Sequence, residues 1–268
     1  MGKIVCTDYT YESEKIGEAF DNYKIALISD MHCREFGDGG RLLADMICRQ
    51  QPDIIIIAGD MVTDHGMKIT AAKQTLVKLA DICPVYYAPG NHEMKLSVNP
   101  RTIEKYNTYV SFLNKTGINY LDNRSVDIKR QDEILRISGL NIEERFFGKL
   151  WNKIAMDDDY IPSCLKPCSD NRFELLIAHN PDYFESYSRW GADIVLSGHI
   201  HGGIVVLPFI GGVIAPTLRL FPHYDFGRFE HGGSTMFLTR GLGAHTIPVR
   251  IFNPPEVVII TLQSIKNK

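Results

Sequence analysis

Seven side chains with oxygen or nitrogen donors, Asp30, His32, Asp60, Asn91, His179, His199 and His201, each stand just past the end of an apolar run. One strand ending in Asp or His is ordinary. Five doing so would gather the donors in one crevice, because functional groups in open α/β sheets collect beyond the carboxyl ends of the strands. Carboxylate, carboxamide and imidazole with no thiolate suit Mn, Fe or Zn, with Mn the first choice, and not a soft-metal or purely structural zinc site. Seven donors are too many for one ion and suit two ions that share a carboxylate. Two ions about 3.5–4 Å apart clamp the attacking and leaving oxygens in phosphoryl transfer. His199 and His201 fit that picture locally: side chains two apart on an extended segment share a face, and Gly198, Gly202 and Gly203 let the chain turn sharply around them.

Hydrophobic patterning supplies the elements that must hold these groups. Ile54-Ile55-Ile56-Ile57-Ala58 is continuously apolar and closes on Gly59-Asp60. It reads as a strand covered on both faces, as in a parallel sheet flanked by helices. Strands are also predicted over Lys3–Thr10, Tyr23–Ser29, Pro84–Ala88, Val126–Ile128, Ile134–Ser138, Phe173–Ala178, Asp193–Leu196, Ser234–Thr239 and Glu256–Leu262. Leu42, Leu43, Met46 and Ile47 recur at helical spacing, and helices are predicted over Lys68–Ala80, Arg101–Lys115 and Asp182–Trp190. Glu143 to Asp170 is polar, and Asp157, Asp158 and Asp159 within it read as a solvated loop. Leu207 to Phe221, rich in Gly, Pro and aromatics, reads as packing over a second sheet. With no internal repeat, low-complexity linker or composition break, residues 1–268 read as a single domain of α/β class.

A net charge of −3 offers no basic footprint for nucleic acid. No run approaches the ~20 apolar residues a transmembrane segment needs. Six cysteines at irregular spacings in a chain of this size predict reduced thiols and a cytoplasmic protein. Cys164 and Cys168 are the one close pair, too few for a zinc knuckle.

Asp30-Met31-His32, Gly59-Asp60, Gly90-Asn91-His92-Glu93, His179 and Gly198-His199-Ile200-His201 resemble, in order, the five motif blocks of the calcineurin-like metallophosphoesterase superfamily. Gly202-Gly203 with Leu207-Pro208, and Arg240-Gly241-Leu242-Gly243 with Pro248, resemble its YkuE-like phosphodiesterase group. Ile204 departs from that pattern, which has Gln there. The resemblance implies a four-layer α/β/β/α sandwich. It also implies Asp30, His32 and His201 on one metal ion, Asn91, His179 and His199 on the other, Asp60 bridging them, and His92 as general acid.

The expected function is a dinuclear-metal phosphohydrolase acting on a small phosphodiester or pyrophosphate. A metal-bridging hydroxide would attack phosphorus in line, and His92 would protonate the departing alkoxide. Arg34 stands within reach of a phosphate or of a surface salt bridge. Asp64 reads as a turn residue or a support to the site, and Glu93 as the cap of the turn after Asn91. His65, His223, His231 and His245 lack motif context. The alternatives are a phosphomonoesterase of the same superfamily and a non-catalytic scaffold with this fold. A scaffold should have lost ligands or the acid, whereas all eight positions are present here.

Overall fold

The protein is described by a computed structural model over residues 3–64, 69–148, 154–166, 172–203, 205–207, 211–214, 222–243 and 250–266. The first half alternates strand and helix: β1 (Val5–Ser13), β2 (Lys24–Ile28), α1 (Arg41–Gln50), β3 (Ile54–Ala58), α2 (Ile69–Ala80), β4 (Val85–Ala88), α3 (Asn91–Val98), α4 (Ile103–Lys115) and β5 (Asn119–Tyr120). The second half continues with β6 (Arg124–Arg130), β7 (Glu133–Leu140), α5 (Tyr160–Cys164), β8 (Phe173–Ala178), α6 (Phe184–Trp190) and β9 (Ile194–Ser197). A two-stranded ribbon, β10 (Val205–Leu207) with β11 (Gly211–Ile214), precedes β12 (Gly227–His231), β13 (Ser234–Leu238) and β14 (Glu256–Ser264).

These strands make two six-stranded sheets, ordered β1-β14-β2-β3-β4-β5 and β12-β13-β9-β8-β7-β6. β2 to β5 run parallel to one another, as do β7, β8, β9 and β13. Period-two alternation then splits each central strand between two cores. Ile55 and Ile57 of β3 pack with Leu43, Ile47, Leu76 and Leu113 of the helices. Ile54, Ile56 and Ala58 turn the other way, against Leu175, Ile177 and Leu196 of the second sheet. On the far side of that sheet, Leu176 and Val195 meet Phe184 and Tyr187 of α6.

The layers are therefore helix, sheet, sheet, helix, the expected α/β/β/α sandwich. One expectation is corrected. Helices cover only one face of β3, because its other face is buried by the second sheet. Six helices and strands were not predicted: α3, which begins inside the Asn91-His92-Glu93 motif; α5, a five-residue helix in the polar stretch; the two-residue β5; the ribbon strands β10 and β11; and the largely exposed β12. Asp157, Asp158 and Asp159 are exposed, with Asp158 paired to Arg189, as a solvated loop requires. His65, Cys168, Ile204, Pro208, His245, Pro248 and most of Leu207 to Phe221 lie outside the described residues. Cys6, Cys33, Cys48, Cys83 and Cys164 are free thiols. No helix among the described residues is long and apolar enough to cross a membrane.

Candidate metal centre

The carboxyl ends of β2, β3 and β4 from one sheet and of β8 and β9 from the other converge. Asp30, His32 and His201 form one cluster and Asp60, His179 and His199 a second, the ligand atoms of each lying within 4.8 Å of one another. A third group, His32, Asp60 and His92, overlaps both, so Asp60 is common to two. Asn91 is buried at the first position of α3.

The local backbone is unusual where it matters. Asp30 (φ 52°), His32 (49°), Asp60 (55°), His199 (73°) and His201 (54°) are all left-handed, a conformation that side-chain-bearing residues adopt at a cost. Cross-loop bonds hold them there: Asp30 N donates to Gly59 O at 3.0 Å, His32 N to Asp60 O at 3.0 Å and Gly198 N to His179 O at 3.1 Å. Packing between loops is tight enough to require glycine at position 90 for space, not for φ. A Cβ there would lie 2.2 Å from Asp60 Oδ1.

Each carboxylate divides its oxygens between structure and site. Asp30 Oδ2 accepts from Ser29 Oγ and from His199 N (3.0 Å), while Oδ1 faces His201 Nε2 at 3.2 Å, His32 Nε2 at 3.7 Å and His179 Nε2 at 3.9 Å. Asp60 Oδ1 accepts from His92 N (2.9 Å), and Oδ2 faces His179 Nε2 at 3.1 Å and His92 Nε2 at 3.9 Å. His179 Nδ1 donates to Ala58 O at 2.6 Å, which turns Nε2 toward the carboxylates. Burial alone would raise both aspartates. The imidazoles of His201 and His179 outweigh it at Asp30, and those of His179 and His92 at Asp60, holding both carboxyls well below the usual range. Burial would lower His179, yet Asp60 and Asp30 raise it to about 10. His199, half-buried, is pushed down to about 3 by desolvation and next by the charge of His179.

His92 stands apart from the two three-residue clusters. Its Nδ1 lies 2.7 Å from Asp64 Oδ1 and 3.2 Å from Asp64 N; the carboxylate, the closer of the two, can only accept, so the ring donates to it and presents Nε2 to the site. Its ring meets that of His32 edge to face at 4.9 Å. Of its two sequence readings, turn residue or support to the site, Asp64 takes the second through its contact with His92. Glu93 does cap α3, accepting from Gly90 N at 3.0 Å, but its reach is wider. The same fully buried carboxylate accepts from Asp60 N (2.9 Å), Val62 N (3.2 Å) and Tyr87 Oη (2.5 Å), tying the loops after β3 and β4 together. Burial, and next the Asp60 charge, raise its carboxyl. Arg34 makes no salt bridge among the described residues. Its Nη1 donates to Leu242 O at 3.2 Å, and its guanidinium lies over Phe36. His223 and His231 are exposed.

Several contributors escaped the sequence reading. Asn253 Nδ2 donates to the carbonyls of His201 and Gly203, both at 2.6 Å. Arg250 donates to the carbonyls of His201, Arg240, Gly241 and Gly243, stitching the Arg240–Gly243 segment to the histidine loop. Phe147 sets its ring 5.4 Å from that of His199. The one available signal was negative: Arg250 and Asn253 are polar residues beside the apolar run of β14.

The donor set fits divalent cations. Asn91 Oδ1 is buried without a hydrogen-bond partner, and Asp30 Oδ1 and His179 Nε2 have only ion-pair contacts that lack hydrogen-bond geometry, a costly state that a cation would relieve. Residues 23–203 match the family model described as calcineurin-like phosphoesterase. The chain is 27% identical over 271 residues to the uncharacterized metallophosphoesterase YkuE of Bacillus subtilis (strain 168), covering 97% of this chain and 86% of that protein. It is 30% identical over 260 residues to an uncharacterized metallophosphoesterase of Aquifex aeolicus (strain VF5), covering 95% and 90%. It is 28% identical over 246 residues to the phosphodiesterase YaeI of Escherichia coli (strain K12), covering 90% and 82%.

Proposed function

The chain belongs to the calcineurin-like phosphoesterase family, and from that premise we propose that it hydrolyses phosphodiesters or pyrophosphates with two divalent metal ions, Mn, Fe or Zn. Asp30, His32 and His201 would hold one ion, Asn91, His179 and His199 the other, and Asp60 would be shared. The observation that carries this reading is the pair of aspartates, each spending one oxygen on the protein and turning the other toward imidazoles. Two bound ions supply Lewis-acid stabilisation of phosphoryl oxygens and lower the pKa of water.

The chain's own residues do the rest. Asp64 fixes the His92 ring through Nδ1, leaving Nε2 to deliver a proton to the departing oxygen. Arg34, with no acidic partner among the described residues, adds positive charge beside the first cluster. Glu93 holds Asp60 in register with the loop that carries Asn91 and His92. Preference for diesters is supported by the similarity to the phosphodiesterase YaeI. We place the protein in the cytoplasm on the irregular spacing of its six cysteines.

The test is elemental analysis of Mn²⁺-saturated protein together with kcat/KM for bis(p-nitrophenyl) phosphate and p-nitrophenyl phosphate. Two ions per chain and a diester preference are expected. One ion or none overturns the dinuclear reading, and a clear monoester preference overturns the diester assignment.

A further inference from the structure

Phe147 has no place in the chemistry above, yet it is held against it. It ends a short 3-10 turn, Glu144–Phe147, that leaves the carboxyl end of β7. β7 runs parallel to β8, so that end lies beside His179. The turn is anchored there. Phe146 is buried between the rings of Tyr160 (4.6 Å) and Tyr183 (5.4 Å), and its carbonyl accepts from Asn180 Nδ2 at 3.0 Å. Asn180 is itself buried and directly follows His179. The turn also packs against α3, which carries Asn91 and His92.

Anchoring at residue 146 decides where residue 147 goes. Its ring stands edge to face with His199 at 5.4 Å and lies 6.4 Å from His179. Phe147 is only half buried, and so is His199. Part of the ring packs on the apolar core between α6 and the second sheet. The part left open lies beside the imidazoles of His199 and His179 and satisfies no polar group there, an apolar surface of the kind against which another ring packs.

We propose that Phe147 is a specificity residue: the wall against which a flat, apolar substituent on the substrate's phosphorus packs. The substrate class is thereby narrowed to esters carrying a ring next to the phosphoryl group. This rests on the phosphoesterase reading of the same site.

Phosphonates test it without turnover, since their carbon–phosphorus bond is not hydrolysed as an ester. The affinities of phenylphosphonate, methylphosphonate and inorganic phosphate for Mn²⁺-loaded protein are measured by calorimetry. Phenylphosphonate is expected to bind roughly three- to tenfold more tightly than methylphosphonate, the range one aromatic pair supplies. Phe147→Ala and Phe147→Leu should each bring that ratio close to one, with methylphosphonate affinity and metal content unchanged. Phe147→Tyr should keep it. If wild type binds phosphate and both phosphonates with no phenyl preference, the inference fails and the phosphoesterase reading stands. A preference that survives in both Phe147→Ala and Phe147→Leu, or affinities for both phosphonates that fall together, also overturns it. The latter would make Phe147 a support for His199. No binding of phosphate or of either phosphonate refutes the phosphoesterase reading and this inference with it.

Discussion

A single added methyl group tests the geometry of Asp60 more sharply than its removal does. Gly90 has φ −98° and ψ −170°, an extended backbone that alanine adopts freely, so Gly90→Ala carries no conformational penalty. Its Cβ would, however, sit 2.2 Å from Asp60 Oδ1 and 2.7 Å from Asp60 N. Ordinary contact begins at 3.4 Å, and the carboxylate must give way by that difference. It has nowhere to go, with Oδ1 holding His92 N, Oδ2 facing His179, and the backbone N–H held by Glu93. Overpacking of this kind costs about 1–3 kcal/mol, which for a chain of this size lowers Tm by roughly 2–4 °C per kcal/mol. Misplacing a reacting group by about 1 Å costs around 10²-fold in rate. Gly17→Ala is the control. It too is extended (φ −89°, ψ −179°) and its Cβ would also strike a carboxylate, but that is the far end of the half-buried Glu133 side chain at the start of β7, the end of that strand opposite the site. Tm, metal content and turnover of bis(p-nitrophenyl) phosphate are compared for the two variants. Gly90→Ala should lose both bound metal and rate while Gly17→Ala keeps them. Wild-type metal content and rate in Gly90→Ala would refute the assignment of Asp60.

Three other expectations follow from the same contacts. Asp60→Asn should weaken both ion sites together, measured as metal bound per chain across a Mn²⁺ titration; loss at one site alone contradicts a shared carboxylate. His92→Ala should keep its metals and lose about 10²–10⁴-fold on alkyl esters, and markedly less on nitrophenyl esters, whose leaving group departs without a proton. An equal loss on both would make His92 a positioning residue. Glu93→Gln should turn an amide donor toward the N–H groups of Asp60, Val62 or Gly90 and cost about 1–3 kcal/mol in urea denaturation; unchanged stability would mean that the buried carboxylate is not needed as an acceptor.

The residues that converge here were legible because parallel strands bury both faces and end at the same edge. An apolar run such as Ile54–Ala58 therefore marks both the sheet and the place where Asp60 must emerge. Which layer covers each face was not legible: Ile54 and Ile55 look alike in sequence and go to different cores. α3 was missed because Asn91-His92-Glu93 is polar and the helix is only eight residues long. The left-handed backbone at Asp30, His32, Asp60, His199 and His201 leaves no trace in periodicity, since it is imposed by bonds between loops distant in sequence. Arg250 and Asn253 act on backbone carbonyls some fifty residues away, and nothing in their own neighbourhood announces it.

Each proposed ligand set draws on both sheets: Asp30 and His32 from the first with His201 from the second, and Asp60 and Asn91 with His179 and His199. Between the sheets the contact is largely apolar. Cations held at that edge would act as rivets across a hydrophobic seam. Ions that bind only the folded chain deepen its stability by about 4 kcal/mol at a thousandfold excess over Kd. Because the sheets cannot part without releasing them, they would slow unfolding as well. Metal supply would then govern how long the protein survives proteases as well as whether it turns over substrate, and a cell short of the ion would lose the protein itself.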